Sequence, residues 1–295
     1  MKWRRTSGSG GVEDLRGKSS GPGGIPMGRI GGGLGGAGIA GIIIALLFTF
    51  LGGGGGFDPG TGLDQLDPTP AATQDQIANG PDPDANLVAF VRFVVEDVQT
   101  SWTTAFQNMG QQYEPTNLRL FRAAIRTGCG AASSATGPFY CPVDRYVYLD
   151  LGFFAELRDR FGAPGDFAQA YVIAHEYGHH VQNLLGILPE VNRRQQENPG
   201  EANELSVKLE LQADCFAGVW AHSAYQQGEL EQGDLEEGLT AAASVGDDRI
   251  QQAARGRVDP ESFTHGTSEQ RRNWFLAGFQ EGDPAACNTF TASRL

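Results

Sequence analysis

Two histidines four residues apart, with a glutamate beside the first, are the residues here whose types and spacing suit chemistry: His175-Glu176-Tyr177-Gly178-His179. On an α-helix, positions i and i+4 project from one face, so the two imidazoles can hold one metal ion together. Glu176 then stands where it can take a proton from a water at that metal. This is the pattern of a zinc-dependent hydrolase helix. Coincidence is the competing reading, and five histidines in the whole chain make it a weak one. His180 is rotated by about 100° from the pair and reads as structural or surface.

The pattern needs a helix to carry it. Asp166 stands where an N-cap would, and apolar residues recur at Phe167, Ala170, Tyr171, Ala174, Gly178, Val181 and Leu185. Gly178 costs about 1 kcal/mol of helix propensity relative to Ala. In mid-helix that points to close approach by another element, with tolerated slack as the alternative. A third ligand is expected from a second helix running through Glu204 to Ala221, where Glu210 and Asp214 lie one turn apart among apolar and small residues. Two such carboxylates repel by a few tenths of a kcal/mol, a repulsion that a metal at Glu210 would remove. Asp214 would then accept a hydrogen bond from a ligand histidine and fix its tautomer. The bland alternative is an acidic surface. Glu201 and Glu204 are weaker candidates beside the polar break at Asn198-Pro199-Gly200.

These segments resemble a known group. HEYGHH followed by ELQADCFAGVWA looks like the gluzincin arrangement, and the run from Phe121 onward resembles the bacterial membrane-anchored neutral zinc metallopeptidase family. The resemblance also rests on Gly128-Cys129-Gly130, GPFYCPVDRYVYLD, AHEYGHHVQ and THGTSEQRRNWFLAGFQEGDPAACNTF, and covers most of residues 85–295. It implies a zincin-type domain, one zinc ion held by His175, His179 and Glu210, Glu176 as the catalytic glutamate, and protein or peptide substrates. His265, inside the THGTSEQR stretch, is a candidate to stabilise an oxyanion; the alternative is a capping or surface histidine. His222, two turns past Asp214, reads as packing or support for a ligand. A different class stays open: a membrane-tethered scaffold in which zinc is structural only.

The remaining sequence positions this domain. Residues 7–38 are rich in Gly and Ser and residues 52–84 in Gly, Pro, Asp and Thr, so neither buries a core. Between them no charged residue occurs from Ile30 to Phe57, and a span at 31–51 is long enough to cross a bilayer, with a signal peptide as the rival reading. Lys2, Arg4, Arg5, Arg16, Lys18 and Arg29 precede it, and no Lys or Arg follows until Arg92. The positive-inside rule therefore predicts a cytoplasmic tail (1–30), one transmembrane anchor (31–51), a disordered linker (52–84) and an extracytoplasmic metallopeptidase domain (85–295). A net charge of −13 argues against nucleic-acid binding. The four cysteines allow three pairings, of which Cys129–Cys141 and Cys215–Cys287 are favoured. A cysteine zinc site is weak without a C-x-x-C pair.

Helical spacing predicts a long helix at 84–109. Strands are expected at Leu118–Ile125 and Arg145–Leu149, and further helices at Phe153–Phe161, at 235–255 and after a Thr267/Gln270 capping box. The expected class is α+β: a mainly helical domain with a small sheet, one strand of which can pair with an extended peptide near the cleft.

Overall fold

Valine and aromatic residues at helical spacing build α1 (Ala85–Asn108), which buries Val91, Val94, Val98, Trp102 and Phe106. The computed structural model describes residues 1–6, 8, 10–17, 81–292 and 295. The strands are β1 (Val12–Asp14), β2 (Leu118–Phe121), β3 (Ala124–Thr127), β4 (Gly130–Ser133), β5 (Phe139–Cys141) and β6 (Tyr146–Asp150). One sheet runs β1-β2-β6-β5, parallel except for the antiparallel β5–β6 pair, and β3–β4 is a separate hairpin. The single strand expected from 118 to 125 breaks at Ala123, whose φ is +65°; there the Asp150 carboxylate accepts the Ala123 N–H at 3.1 Å and the chain turns into the hairpin.

The helices that follow are α2 (Gly152–Asp159), α3 (Asp166–Leu184), α4 (Ile187–Glu197), α5 (Ala202–Gln226), α6 (Asp234–Ser244), α7 (Asp247–Arg255) and α8 (Ser268–Glu281). α5 packs against α3 and α8 at the centre of the core, and α6 covers both partners. The result is mainly helical with a small sheet, as expected. Asp166 begins α3 with Gly165 as its cap, one residue from the expected boundary. The capping box forms: Thr267 accepts from the Gln270 N–H, and Gln270 accepts from that of Thr267. Both favoured disulfides are present, Cys129–Cys141 joining the hairpin turn to β5 and Cys215–Cys287 tying α5 to the segment after α8.

The N-terminal reading needs correction. Residues 1–17 are not a separate tail: β1 pairs in register with β2, Val12 opposite Leu118 and Asp14 opposite Leu120. Arg16, 2 % exposed, donates to Asp14, Asp82 and Asp84, and Trp3 packs edge-on against Phe90. A single membrane crossing would leave residues 1–17 and 81–295 on opposite faces of the bilayer, where they cannot share a sheet. The single-pass arrangement, with a cytoplasmic N-terminus and the domain outside, finds no support in this pairing. The charge count includes Arg16, a buried structural cation. The span at 31–51 and most of the 52–84 linker lie outside the described residues; among the described residues no helix is long and apolar enough to cross a membrane.

Where the N-terminal segment meets the domain, Lys2 N–H donates to the Glu229 carbonyl at 2.6 Å. The Glu229 carboxylate has a buried Oε2 without a hydrogen-bond partner. Burial and the nearby Asp97 carboxylate push its pKa up to about 7. An acid with a higher pKa folded than unfolded binds extra protons when folded, so stability falls as pH rises from the ordinary carboxylate range through about 7. Glu229→Gln is accordingly expected to leave the melting temperature unchanged near pH 4 and to raise it at pH 8. A mutant effect independent of pH in thermal melts would contradict this.

Candidate metal centre

Close approach of two helices makes the site. A Cβ added to Gly178 would lie 2.9 Å from the Ala213 carbonyl oxygen, so only glycine lets α3 and α5 pack this tightly. The turn on either side of that contact carries His175 and His179 on α3 and Glu210 and Asp214 on α5. His175 Nε2 lies 3.2 Å from Glu210 Oε2, and His179 Nε2 lies 3.4 Å from Glu210 Oε1. Donor atoms at the corners of a tetrahedron with zinc bonds of about 2.0–2.1 Å stand roughly 3.3 Å apart. The spacing of the three groups fits that ion.

The tautomers fit as well. His175 Nδ1–H donates to Asp214 Oδ1 at 2.9 Å. His179 Nδ1–H donates to Gln182 Oε1 at 2.9 Å, and that amide is oriented because its nitrogen donates to the Leu209 carbonyl at 2.7 Å. Both Nε2 lone pairs are thereby left facing Glu210, the geometry a metal requires. Burial opposes charge on His175, yet Asp214 and Glu210 outweigh it and hold its pKa up at about 10. Burial likewise opposes the Glu210 charge, and His179 and His175 overcome it, keeping the carboxylate well below its ordinary range. A divalent cation would compete with the proton for these imidazoles.

Asp214 is fully buried. Arg271 grips it with two bonds, Nε to Oδ2 at 2.8 Å and Nη2 to Oδ1 at 2.9 Å, and the Tyr171 hydroxyl donates to it too. Glu176 is 5 % exposed beside the trio, facing the backbone N–H of Tyr140 on β5. Burial raises its pKa, partly offset by His175 and His179.

His265 reaches the same cleft from the other side. The helix expected over 235–255 is two helices, broken at Gly246, where a Cβ would lie 2.3 Å from the Ser268 nitrogen. The break aims Asp247 at the loop before α8. Its Oδ1 holds His265 Nδ1 at 3.0 Å, and its Oδ2 accepts the backbone N–H groups of Thr264, His265 and Gly266. His265 Nε2 is buried with no partner, on the wall of the cleft that His175, Glu176, His179 and Glu210 also line. The cavity at its floor has a volume of about 80 Å³.

The structure thus brings His175, Glu176, His179, Glu210 and His265 together, with Asp214 behind His175. It keeps the other candidates apart. His180 is tied to the Tyr140 hydroxyl and the Glu114 carbonyl, His222 packs on the Phe279 carbonyl, and Glu204 pairs with Lys208 at the surface. A second carboxylate trio, Asp166, Asp234 and Glu237, is equally compact, but there the Met1 ammonium bonds Asp166 at 2.6 Å and Asp234 at 3.3 Å. Sequence reading missed Gln182, Tyr171, Asp247 and Arg271. Only Gln182 carried a usable signal, its i+3 spacing from His179.

The family described as "Putative neutral zinc metallopeptidase" matches residues 1–290. The chain belongs to this family. It is 49 % identical over 296 residues to "Uncharacterized protein YpfJ" of Escherichia coli (strain K12), covering 99 % of this chain and 100 % of the relative. It is 45 % identical over 258 residues to "Uncharacterized protein Rv2575" of Mycobacterium tuberculosis (strain ATCC 25618 / H37Rv), covering 81 % and 85 %. No solved structure matches the chain. Family membership extends to the N-terminal segment, in keeping with β1 as part of the sheet.

Removing the partner of a ligand histidine typically weakens metal binding 10–100-fold. Asp214→Asn is expected to lower zinc affinity roughly 10–100-fold in chelator competition. Unchanged affinity in a folded variant would remove Asp214 from the metal centre.

Proposed function

We propose that the chain is a zinc-dependent metallopeptidase with a zincin-type catalytic domain. The observation that carries this reading is Glu176, a buried carboxylate beside three well-spaced metal donors, because a structural zinc site has no use for an adjacent base. When bound, zinc supplies a Lewis acid that polarises the scissile carbonyl and lowers the pKa of water toward neutrality. His175, His179 and Glu210 would hold it, with Asp214 and Arg271 fixing the His175 ring and Gln182 fixing that of His179. Glu176 accepts the proton of the attacking water and passes it to the leaving amine. His265, in its doubly protonated form, donates Nε2–H at the cleft wall to the developing oxyanion while Asp247 accepts its Nδ1–H.

Cutting within an extended chain is supported by β5. Among the described residues it pairs with β6 alone, and it borders the cleft at Tyr140, where a peptide can add as a further strand. Two disulfides support an oxidising compartment for the domain. Membrane contact through residues 31–51, with both flanks on one side, rests on the apolar character of that run.

Glu176→Gln is expected to retain stoichiometric zinc while lowering peptide hydrolysis by about 10²–10⁴. His265→Ala should keep zinc and lower kcat by about 10²–10³. Zinc content and single-turnover rates on a peptide library check both. Hydrolysis undiminished in Glu176→Gln would sink the mechanism.

A further inference from the structure

The two ends of the cleft differ. At the end near the C-terminal half of α3, the apolar lining residues Leu188 and Leu209 are 1 % and 3 % exposed and pack on one another. They leave little surface for a ligand. At the other end stand Phe153 on α2, Phe161 in the loop after it, Val172 on α3 and Val245 in the break before α7. Phe153, Phe161 and Val245 are partly exposed, and the two rings pack on one another, tilted by 42° with 6.3 Å between centroids. Val172 precedes His175 by one turn of the same helix face, which places this end about 4.5 Å along the axis from the metal donors.

The charged groups on the cleft side of this end, Arg271 and Asp247, are already engaged. Arg271 gives its donors to Asp214, Tyr171 and the Val245 carbonyl. Asp247 is taken up by His265 and three backbone N–H groups. Arg160 and Arg249 lie beyond Phe161, lining a separate depression, and Arg160 is paired with Glu156. A charged side chain laid against the exposed sides of the two rings on the cleft side would lose hydration, with Arg271 and Asp247 already taken. An apolar one would cover the exposed faces of Phe153 and Phe161 and gain in proportion to the area removed from water.

We propose that Phe153, Phe161, Val172 and Val245 form the pocket that selects the substrate: it takes a bulky apolar side chain, Phe or Leu in class, from a residue directly flanking the scissile bond. This rests on the peptidase reading and adds to it the chemical class of the substrate. Val172 sets the depth and Phe161 the outer wall.

The test uses the zinc-loaded protein and a peptide series varied at the two flanking positions. Wild type should prefer Phe or Leu over Ala, Asp and Lys at one of them by ten-fold or more in kcat/KM. Val172→Phe, which fills the pocket, should reverse the Phe-to-Ala preference. Phe161→Ala, at a partly exposed position, should lower it several-fold should the first variant fail to fold. Cleavage with no flanking preference, or with a preference that neither variant moves, overturns the pocket and leaves the peptidase reading intact. A second readout separates the two ideas: calorimetric binding of the same peptides to Glu176→Gln. Tight binding of the Phe peptide over the Ala peptide, with no turnover by wild type, keeps the pocket and removes the peptidase. No preference in either assay removes the pocket.

Discussion

A carboxylate with no exposure to water, Asp214, links the three helices on which the site depends. It sits on α5, orients His175 on α3, and is clamped by Arg271 of α8. An isolated buried carboxylate costs several kcal/mol of lost hydration, so this one persists only because four donors converge on it. The same bonds that satisfy it leave His175 Nε2 facing Glu210. Packing of the core and the readiness of the metal centre are in this sense one constraint: replace Arg271 and the buried charge loses its counter-ion, replace Asp214 and the guanidinium loses its own.

The rest of the architecture protects that arrangement. The contact at Gly178 sets the distance between α3 and α5. Cys215, next to Asp214, is bonded to Cys287, which holds the C-terminal segment against α5, and the Cys287 carbonyl accepts from Gln212 at 2.8 Å. Cys141 lies next to Tyr140, whose N–H faces Glu176, so the other disulfide steadies the strand beside that carboxylate. Both covalent links thus reach within a residue of a group that touches the site.

Much of the site was legible in the sequence because its residues lie on helices, where spacing dictates which side chains share a face. His175, Glu176 and His179 followed from one turn of helix, and Glu210 with Asp214 from another. Gly178 gave notice of a close helix contact before any coordinates. Arg271 and Asp247 were hidden because their partners are distant in sequence, 57 residues away for Asp214 and 18 for His265; no local pattern separates them from surface charges. The N-terminal segment failed for a related reason. A three-residue strand among glycines carries almost no periodic signal, and a buried Arg16 counts the same as a solvated one in a charge tally.

X-ray absorption at the zinc edge of the metal-loaded protein tests the central claim most directly. The account predicts two imidazole nitrogens and one carboxylate oxygen at about 2.0–2.2 Å, with a single exchangeable oxygen completing the shell. Sulfur in the shell, a fourth protein donor, or a shell unchanged by Glu210→Ala would contradict it.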